Sequence, residues 1–261
     1  DDHAARRRPL VLHLHGLEGS AQSHYQQGLS AKAFAAGFHT LRVNYRNCGD
    51  TEHLARQIYN GTNTGDVRTA IEAMRQDWGI DSFYLTGVSF GGNLLLKFLA
   101  ECGEHLPEGV RGAVAVSAAI DFNLVRFQEG LSWGYEQYFL RKLKRKIRRK
   151  VRYSPGGEEF AAYVAQFGRV RTLRDFDDLI TAPLNGFDSA AHYYTTVSAG
   201  DHVGQIRVPT LLIHAEDDPV VPFEMYRARM DRIRANPMLL PVFPKVGGHA
   251  GFYARRDGEL A

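Results

Sequence analysis

A serine flanked by glycines lies where an apolar run gives way to a helix-like segment. Gly87-Val88-Ser89-Phe90-Gly91 follows the strand-like run 83–86 and precedes the helix-like run 93–99. A strand, a sharp turn and a helix with a serine at the apex are the layout of a nucleophile elbow. In such a turn the neighbouring backbone leaves no room for a Cβ atom two residues before or after the serine. We therefore take Ser89 as the candidate nucleophile. The alternative is a glycine-rich turn with a bystander serine.

A second candidate element lies near the N-terminus. The apolar run 10–14 has the pattern of a buried strand and leads into His15-Gly16-Leu17-Glu18-Gly19-Ser20. A His-Gly step at a strand end is where enzymes with this kind of elbow place their second oxyanion donor. We therefore predict that the backbone N–H groups of Leu17 and Phe90 together bind a developing oxyanion.

The remaining candidates follow two strand-like runs in the C-terminal part. Run 210–215 leads into an acidic stretch with Asp217 and Asp218, and run 239–243 leads into a glycine-rich loop around His249. A serine nucleophile needs a histidine base, and the histidine needs a carboxylate that holds its tautomer. The chain order of serine, aspartate and histidine is that of an α/β-hydrolase, and it differs from that of chymotrypsin-like and subtilisin-like enzymes. Only one of the two adjacent aspartates can point at the histidine.

Apolar runs alternate with helix-like segments over most of the chain. Strand-like runs lie at 10–14, 38–43, 83–88, 113–117, 210–215 and 239–243, and helix-like runs lie at about 21–36, 66–77, 91–102 and 223–235. Such alternation predicts βαβ units and a mostly parallel sheet with helices on both faces. The nearly continuous apolar character of the strands is typical of a sheet buried on both sides. The predicted fold class is therefore α/β, of the α/β-hydrolase type.

The alternation breaks between residues 121 and 205. This segment has no clear sheet strand, is helical in pattern, and is too long for an ordinary connection between strands. We interpret it as a helical lid inserted into the hydrolase core. The predicted organisation is a first core part at 1–120, the lid at 121–205 and a second core part at 206–261. The pattern indicates neither internal repeats nor a separate core for the lid.

Several stretches together resemble the α/β-hydrolase family that contains the bacterial YheT-type esterases and the eukaryotic ABHD1/2/3 lipid hydrolases. The matching stretches are HGLEGS at 15–20, NYRNCG at 44–49, GVSFGGN at 87–93, DFDD at 175–178 with TAP at 181–183, AEDDP at 215–219 and GGHAGF at 247–252. They extend in order from the first strand almost to the last residue. Members of the family carry further residues before the first of these strands and a last helix after the histidine. The resemblance leads us to expect both segments outside these 261 residues.

The resemblance implies hydrolysis of a carboxylic ester, in a small molecule or a lipid, by a Ser-Asp-His triad without a cofactor. Ser89 would be the nucleophile and His249 the base. The family spacing Asp-x-x-x-Pro favours Asp218 as the acid because Pro222 lies four residues after it. Asp217 would then be a solvated or helix-capping neighbour. Two alternatives stay open on the same fold: an acyltransferase and a non-catalytic binding protein.

A metal site and a substrate-binding role for the loop after the second strand are weaker possibilities. His13 and His15 face the same way on a strand, but the Asp-His continuation of a dinuclear zinc site is missing. We therefore expect no metal, and we interpret His15 as part of the oxyanion loop and His13 as a packing residue. Residues 45–49 border the predicted cleft, and a loop held by side-chain hydrogen bonds explains them as well as substrate contact does.

Composition bears on the compartment and the partners. The chain has two cysteines, Cys48 and Cys102, without zinc spacing, and its first nine residues lack a signal-peptide core. We predict two independent thiols in a reducing compartment and a cytoplasmic location. The net charge of +3 is small, and we expect no nucleic-acid partner. The oligomeric state is open.

Nine of the twelve residues from 141 to 152 are lysine or arginine. Three apolar residues fall among them, Leu143, Ile147 and Val151, and with the preceding Leu140 they have helical spacing. Residues 140–152 are therefore predicted to form a helix with a narrow apolar stripe and an almost wholly cationic remainder. Two interpretations stay open. The charges can be solvated or paired with acids elsewhere, or the helix can contact an anionic membrane surface or attract acidic substrates.

Overall fold

The computed structural model describes residues 8–125, 131–252, 255–256 and 259–260. A six-stranded sheet lies at its centre, with the strand order β2-β1-β3-β4-β5-β6 and every neighbouring pair parallel. Its strands are β1 (Leu10–Leu14), β2 (His39–Val43), β3 (Phe83–Val88), β4 (Val110–Val116), β5 (Thr210–Ile213) and β6 (Leu239–Val242). Two further strands, β7 (Arg255–Arg256) and β8 (Glu259–Leu260), form an antiparallel pair. The predicted fold class is confirmed, and each predicted strand coincides with one of the six.

Helices connect the strands. They are α1 (His24–Ala35), α2 (Thr64–Trp78), α3 (Phe90–Cys102), α4 (Leu131–Tyr153), α5 (Ala161–Ala165), α6 (Leu173–Phe176), α7 (Ala182–Leu184), α8 (Ala190–Val197), α9 (Glu224–Arg227) and α10 (Met230–Ala235). The sequence predicted a single helix at 223–235, and the structure divides it in two. The helix breaks at Arg229, which has φ of −120° and ψ of 14° and whose guanidinium donates to Asp121 at 2.8 Å.

The centre of the molecule is formed by β1, β3 and α3. All five residues of β1 are buried, and Glu101 is the one exposed residue of α3. Lys97, which is buried on the same helix, forms a 3.0 Å ion pair with Glu101 one turn later. Cys48 and Cys102 are free, buried thiols, as predicted. The chain after β3 therefore enters a helix that is enclosed on nearly every side, and the turn between the two is fixed by packing.

The described residues between β4 and β5 form helices and no sheet strand. The long helix α4 contains the predicted helix 140–152, and Leu140 and Ile147 of its apolar stripe are buried. They pack in a cluster with residues of the following short helices and turns: Phe160, Val170, Phe176 and Ile180. The cluster also contains Ile58 from before β3, and Leu173 packs against both this cluster and the core of the sheet. The apolar stripe of α4 needs partners, and the short helices supply them.

Candidate active site

Ser89 lies in the turn between β3 and α3 with φ of 56° and ψ of −118°. This conformation costs about 1–3 kcal/mol for a residue with a side chain and is kept only where the surroundings enforce it. A Cβ on Gly87 would lie 2.3 Å from the carbonyl oxygen of Gly91, and a Cβ on Gly91 would lie 2.5 Å from that of His15. The predicted need for glycine on both sides of the serine is therefore confirmed.

Two backbone N–H groups beside Ser89 have no acceptor among the described residues. They belong to Leu17, in the loop after β1, and to Phe90, the first residue of α3. The neighbouring N–H groups of Gly16 and Glu18 are occupied, since they donate to tyrosine hydroxyls at 2.7 and 2.9 Å. Ser89, Leu17 and Phe90 line the same cavity. Free donors at such a place can stabilise an oxyanion.

His249 and Asp218 form a hydrogen bond of 2.8 Å between Nδ1 and Oδ2. The Asp218 side chain is fully buried, and its Oδ1 accepts the N–H groups of Val220 and Val221 at 2.8 and 2.9 Å. Burial alone raises the pKa of Asp218, but the hydrogen bond and charge of His249 and the two N–H groups outweigh burial, and the pKa lies below its usual value. The carboxylate is therefore charged and orients the imidazole.

Asp217 has a different partner. Its exposed carboxylate accepts the N–H groups of Gly247 and Gly248, both at 2.9 Å. These glycines directly precede His249. Asp217 therefore holds the loop that carries the histidine and leaves the imidazole to Asp218. Of the two roles offered for it, exposure to solvent agrees with the structure, and its contact with the distant loop was not foreseen from the sequence.

The Ser89 hydroxyl and the His249 ring are not hydrogen-bonded within the part of the chain that the structure describes. Nδ1 of His249 is engaged by Asp218, so Nε2 is the nitrogen left to accept a proton. The imidazole keeps about a quarter of its surface exposed (23%). Catalytic hydrogen bonds are often long in the absence of substrate and shorten in the reacting complex. The absence of a Ser89–His249 hydrogen bond among the described residues is therefore compatible with a serine–histidine pair.

His15 supports the loop that carries Leu17 and does not line the cavity. Its Nδ1 donates to the carbonyl of Gly16 at 2.8 Å, and its Nε2 accepts the N–H of Tyr45 at 3.4 Å. Burial lowers the pKa of His15 to about 4, so the ring is neutral. His13 is also buried and bonds the hydroxyl of Thr86 at 2.8 Å. These contacts agree with the interpretation of His15 as part of the loop and of His13 as a packing residue.

The loop after β2 is held by its own side chains. Arg46 binds Asp66 through two bonds of 2.8 and 2.6 Å, and Asn47 donates to the carbonyl of Ala55 at 2.8 Å. The hydroxyl of Tyr45 donates to the carbonyl of His15 at 2.8 Å. Of the two explanations offered for this loop, hydrogen bonding within the protein accounts for the contacts that the structure shows.

A cavity of about 350 Å³ opens at Ser89. Part of its wall comes from the core, including Phe90 and Val221, and part comes from residues between β4 and β5, including Phe139 and Leu143. Aliphatic and aromatic side chains form most of the lining. A mainly apolar cavity with few polar groups is typical of a small-molecule site.

Several polar groups in the cavity wall were not found from the sequence, and Asp177 and Lys146 are two of them. Asp177 lies in the π-helical turn Asp177–Thr181 between α6 and α7 and accepts the hydroxyl of Tyr194 at 2.8 Å. Burial raises the pKa of Asp177 to about 6. Lys146 of α4 is the second group, and it is almost fully buried. The DFDD stretch and the basic run marked their positions, but neither pattern says which members face inward.

The family of the chain follows from comparison with known proteins. The profile of the alpha/beta hydrolase fold matches residues 9–253. The chain belongs to the alpha/beta hydrolase family. The esterase YheT of Escherichia coli (strain K12) is 34% identical over 257 residues, which cover 95% of this chain and 72% of that protein. The resemblance noted in the sequence is therefore confirmed.

Proteins that are less similar to this chain agree with the assignment to this fold. The monoacylglycerol lipase of Saccharomyces cerevisiae is 27% identical over 258 residues, which cover 97% of this chain and 56% of the lipase. The crystal structure of 2,6-dihydroxy-pseudo-oxynicotine hydrolase superposes with a TM-score of 0.58 at 19% identity, covering 93% of this chain and 55% of that one. This last likeness shows the fold alone. This chain thus spans more of the bacterial esterase than of the yeast lipase, of which it covers little more than half.

Proposed function

We propose that this hydrolase cleaves carboxylic esters through Ser89, His249 and Asp218. The observation that carries the proposal is the strained turn that presents Ser89 to a cavity. A histidine that follows the last strand of the sheet, with its Nδ1 held by a buried carboxylate, supports it. Relatives named as an esterase and a monoacylglycerol lipase support an ester as the substrate. The triad needs no cofactor.

The reaction would proceed through an acyl-enzyme. Ser89 Oγ attacks the acyl carbon while Nε2 of His249 takes its proton and returns it to the leaving alcohol. Asp218 stabilises the imidazolium that forms in between. The N–H groups of Leu17 and Phe90 donate to the tetrahedral oxyanion, where charge develops in the transition state. Water, activated by His249, then releases the acid and frees Ser89.

Labelling with a fluorophosphonate tests the proposal against a non-catalytic binding protein. The probe phosphonylates an activated serine, so we expect a single adduct on the peptide that contains Ser89. Protein without an adduct would contradict a serine hydrolase. Product analysis with competing alcohols separates hydrolysis from acyl transfer, because an acyltransferase would form the new ester in preference to the free acid.

The lining of the cavity points to an acyl chain of hydrocarbon character. We expect kcat/KM for p-nitrophenyl esters to rise as the acyl chain lengthens from acetate, until the cavity is filled. Each methylene that becomes buried contributes about 0.8 kcal/mol, which corresponds to about fourfold in kcat/KM. The measurement is a series of esters at fixed pH. A steady fall from acetate onwards would contradict an acyl pocket in this cavity.

We propose that residues 121–205 form the lid of this pocket. Residues of the segment that line the cavity include Phe139, Leu143, Ile147 and Phe176. The first three lie on α4, so the helix that carries the basic run also covers the cavity with apolar side chains. The core parts at 1–120 and 206–261 supply the triad and the oxyanion donors.

The basic run of α4 divides into two groups. Five of its nine cationic side chains form a hydrogen bond or ion pair within the protein: Lys142, Lys144, Lys146, Arg149 and Lys150. The other four, which are exposed and form no salt bridge within the described ranges, are Arg141, Arg145, Arg148 and Arg152. Of these, Arg148 and Arg152 lie over the rings of Phe167 and Tyr153. Their spacing of four, three and four residues places them on one face of the helix. Pairing with the protein thus explains more than half of the run.

We propose that the four exposed arginines of α4 contact an anionic lipid surface. Arginine near such a surface contributes about 1 kcal/mol, and the attraction is screened over about 8 Å at physiological salt. No helix in the described ranges is both long and apolar enough to cross a membrane. We therefore expect sedimentation with anionic but not neutral vesicles at low salt, and release at high salt.

Replacing the four arginines with glutamine is expected to abolish the sedimentation. The matched control replaces four exposed arginines elsewhere with glutamine: Arg207, Arg227, Arg232 and Arg234. An equal loss of sedimentation in both variants would leave net charge as the sole cause and contradict a specific role of α4. Equal sedimentation of the wild type with neutral and anionic vesicles would contradict the contact with anionic lipid.

A further inference from the structure

A lysine of the proposed lid is buried against the loop that follows β1. The ammonium of Lys146 forms an ion pair with the carboxylate of Glu18, and the two side chains are 6% and 5% exposed. Nζ also lies 3.2 Å from Sγ of Cys48 and 4.1 Å from the centre of the Tyr59 ring. Burial alone lowers the pKa of Lys146, but Glu18 and Cys48 outweigh burial and raise it, so the lysine stays charged.

Glu18 is fixed from several directions. It has φ of 55°, a left-handed conformation that is uncommon outside glycine. Its N–H donates to the hydroxyl of Tyr59 at 2.9 Å, and that hydroxyl donates to its carboxylate at 3.0 Å. Its carbonyl accepts Nζ of Lys142 at 2.8 Å. Two lysines of one helix therefore hold the main chain and the side chain of a single loop residue.

The held residue is the immediate neighbour of Leu17, whose N–H is the proposed oxyanion donor. A residue in a left-handed conformation relaxes when the contacts around it are lost. The direction of the Leu17 N–H depends on the path of this short loop, which folds back with Gly19 donating to the carbonyl of Gly16 at 3.0 Å. Desolvation offsets most of the attraction in a buried ion pair, so such a pair is a weak stabiliser of the fold. We therefore take the main effect of the Lys146–Glu18 pair to be on the conformation of the loop after β1.

We propose that Lys146 is a positioning residue, which acts through Glu18 to hold the Leu17 N–H toward the oxyanion. The inference rests on the proposed function and deepens it by joining the lid to the catalytic centre. Without the ammonium, the Glu18 carboxylate is buried with no counter-ion and moves toward water. A shift of about 1 Å in a catalytic group can reduce the rate about 10²-fold.

The test compares Lys146→Met, Glu18→Gln, the double variant and a control, Lys32→Met. Lys32 is an exposed lysine of α1, outside the cavity and the basic run, so the control makes the same chemical change at a neutral place. Measurements are kcat and KM for a p-nitrophenyl ester, Ki for a trifluoromethyl ketone, and the melting temperature. The hydroxyl of Ser89 adds to the carbonyl carbon of the ketone and forms a tetrahedral oxyanion. The affinity for the ketone therefore reports on the same N–H donors.

We expect each single variant to lower kcat about 10²-fold, with KM changed by about threefold or less and the ketone weakened by the same factor as kcat. The double variant is expected to lose no more than either single variant, since both changes remove one interaction. Lys32→Met is expected to behave like the wild type. Glu18→Gln keeps the size of the side chain, so it decides the question if Lys146→Met does not fold.

Two results would overturn the inference. One is a lower melting temperature with unchanged kcat and ketone affinity, since this is the result of a purely structural pair. The other is a fold-loss of kcat in the double variant that equals the product of the two single losses, since independent effects multiply. Failure of the proposed function is distinct from both, because the wild type would then neither turn over esters nor react with a fluorophosphonate at Ser89.

Discussion

Replacing Ser89 with alanine is expected to lower kcat for a p-nitrophenyl ester about 10⁴-fold or more. The substitution removes the nucleophilic oxygen and keeps the Cβ, so the strain at φ of 56° is unchanged and the melting temperature should stay close to that of the wild type. His249→Ala is expected to cause a similar loss, because the hydroxyl then has no base. The double variant should be no worse than either single variant, since the residues act as a unit.

The matched control for this prediction is Ser117→Ala. Ser117 follows β4, also has a positive φ (48°), and carries a buried hydroxyl with no partner among the described residues. It does not line the cavity. We expect this variant to keep wild-type turnover. Retention of more than about a tenth of the activity in Ser89→Ala would contradict the assignment of the nucleophile, because loss of a true nucleophile costs several orders of magnitude.

Asp218→Asn is expected to lower kcat about 10⁴-fold, and Asp217→Asn about tenfold or less. Asp218 accepts hydrogen bonds through both carboxylate oxygens, from Val220, Val221 and His249. An amide keeps one acceptor and turns the other into a donor, which forces His249 into the tautomer with Nδ1 as acceptor and Nε2 protonated. That tautomer cannot take a proton from Ser89.

Asp217 serves as the matched control because it is adjacent and carries the same functional group. A single oxygen of Asp217 accepts both loop N–H groups, and an amide oxygen can replace it with little movement. The melting temperature of both variants should be measured beside kcat, so that loss of turnover is separated from loss of folded protein. Equal losses, or a larger loss at Asp217, would reverse the assignment of the acid and leave the rest of the mechanism intact.

The sequence by itself determined the features that depend on short stretches of neighbouring residues. Gly87 and Gly91 predicted the elbow, because a turn that leaves no room for Cβ restricts the residue type at fixed distances from Ser89. The alternation of apolar runs with helix-like segments predicted the parallel sheet, since a strand buried on both faces must be apolar throughout. Helix-forming periodicity likewise placed the buried stripe of α4 at Leu140 and Ile147.

The tertiary structure decided which residues meet. Asp217 and Asp218 are neighbours in sequence, and only the position of the loop around His249 shows that one holds the loop and the other the imidazole. In the same way, nine basic residues look alike as a run, and only packing separates the buried Lys146 from the exposed Arg145. Glu18, the partner of Lys146, lies 128 residues away in the sequence. Local patterns set backbone conformation and burial, whereas contacts between distant side chains depend on how whole elements pack, which short-range patterns do not encode.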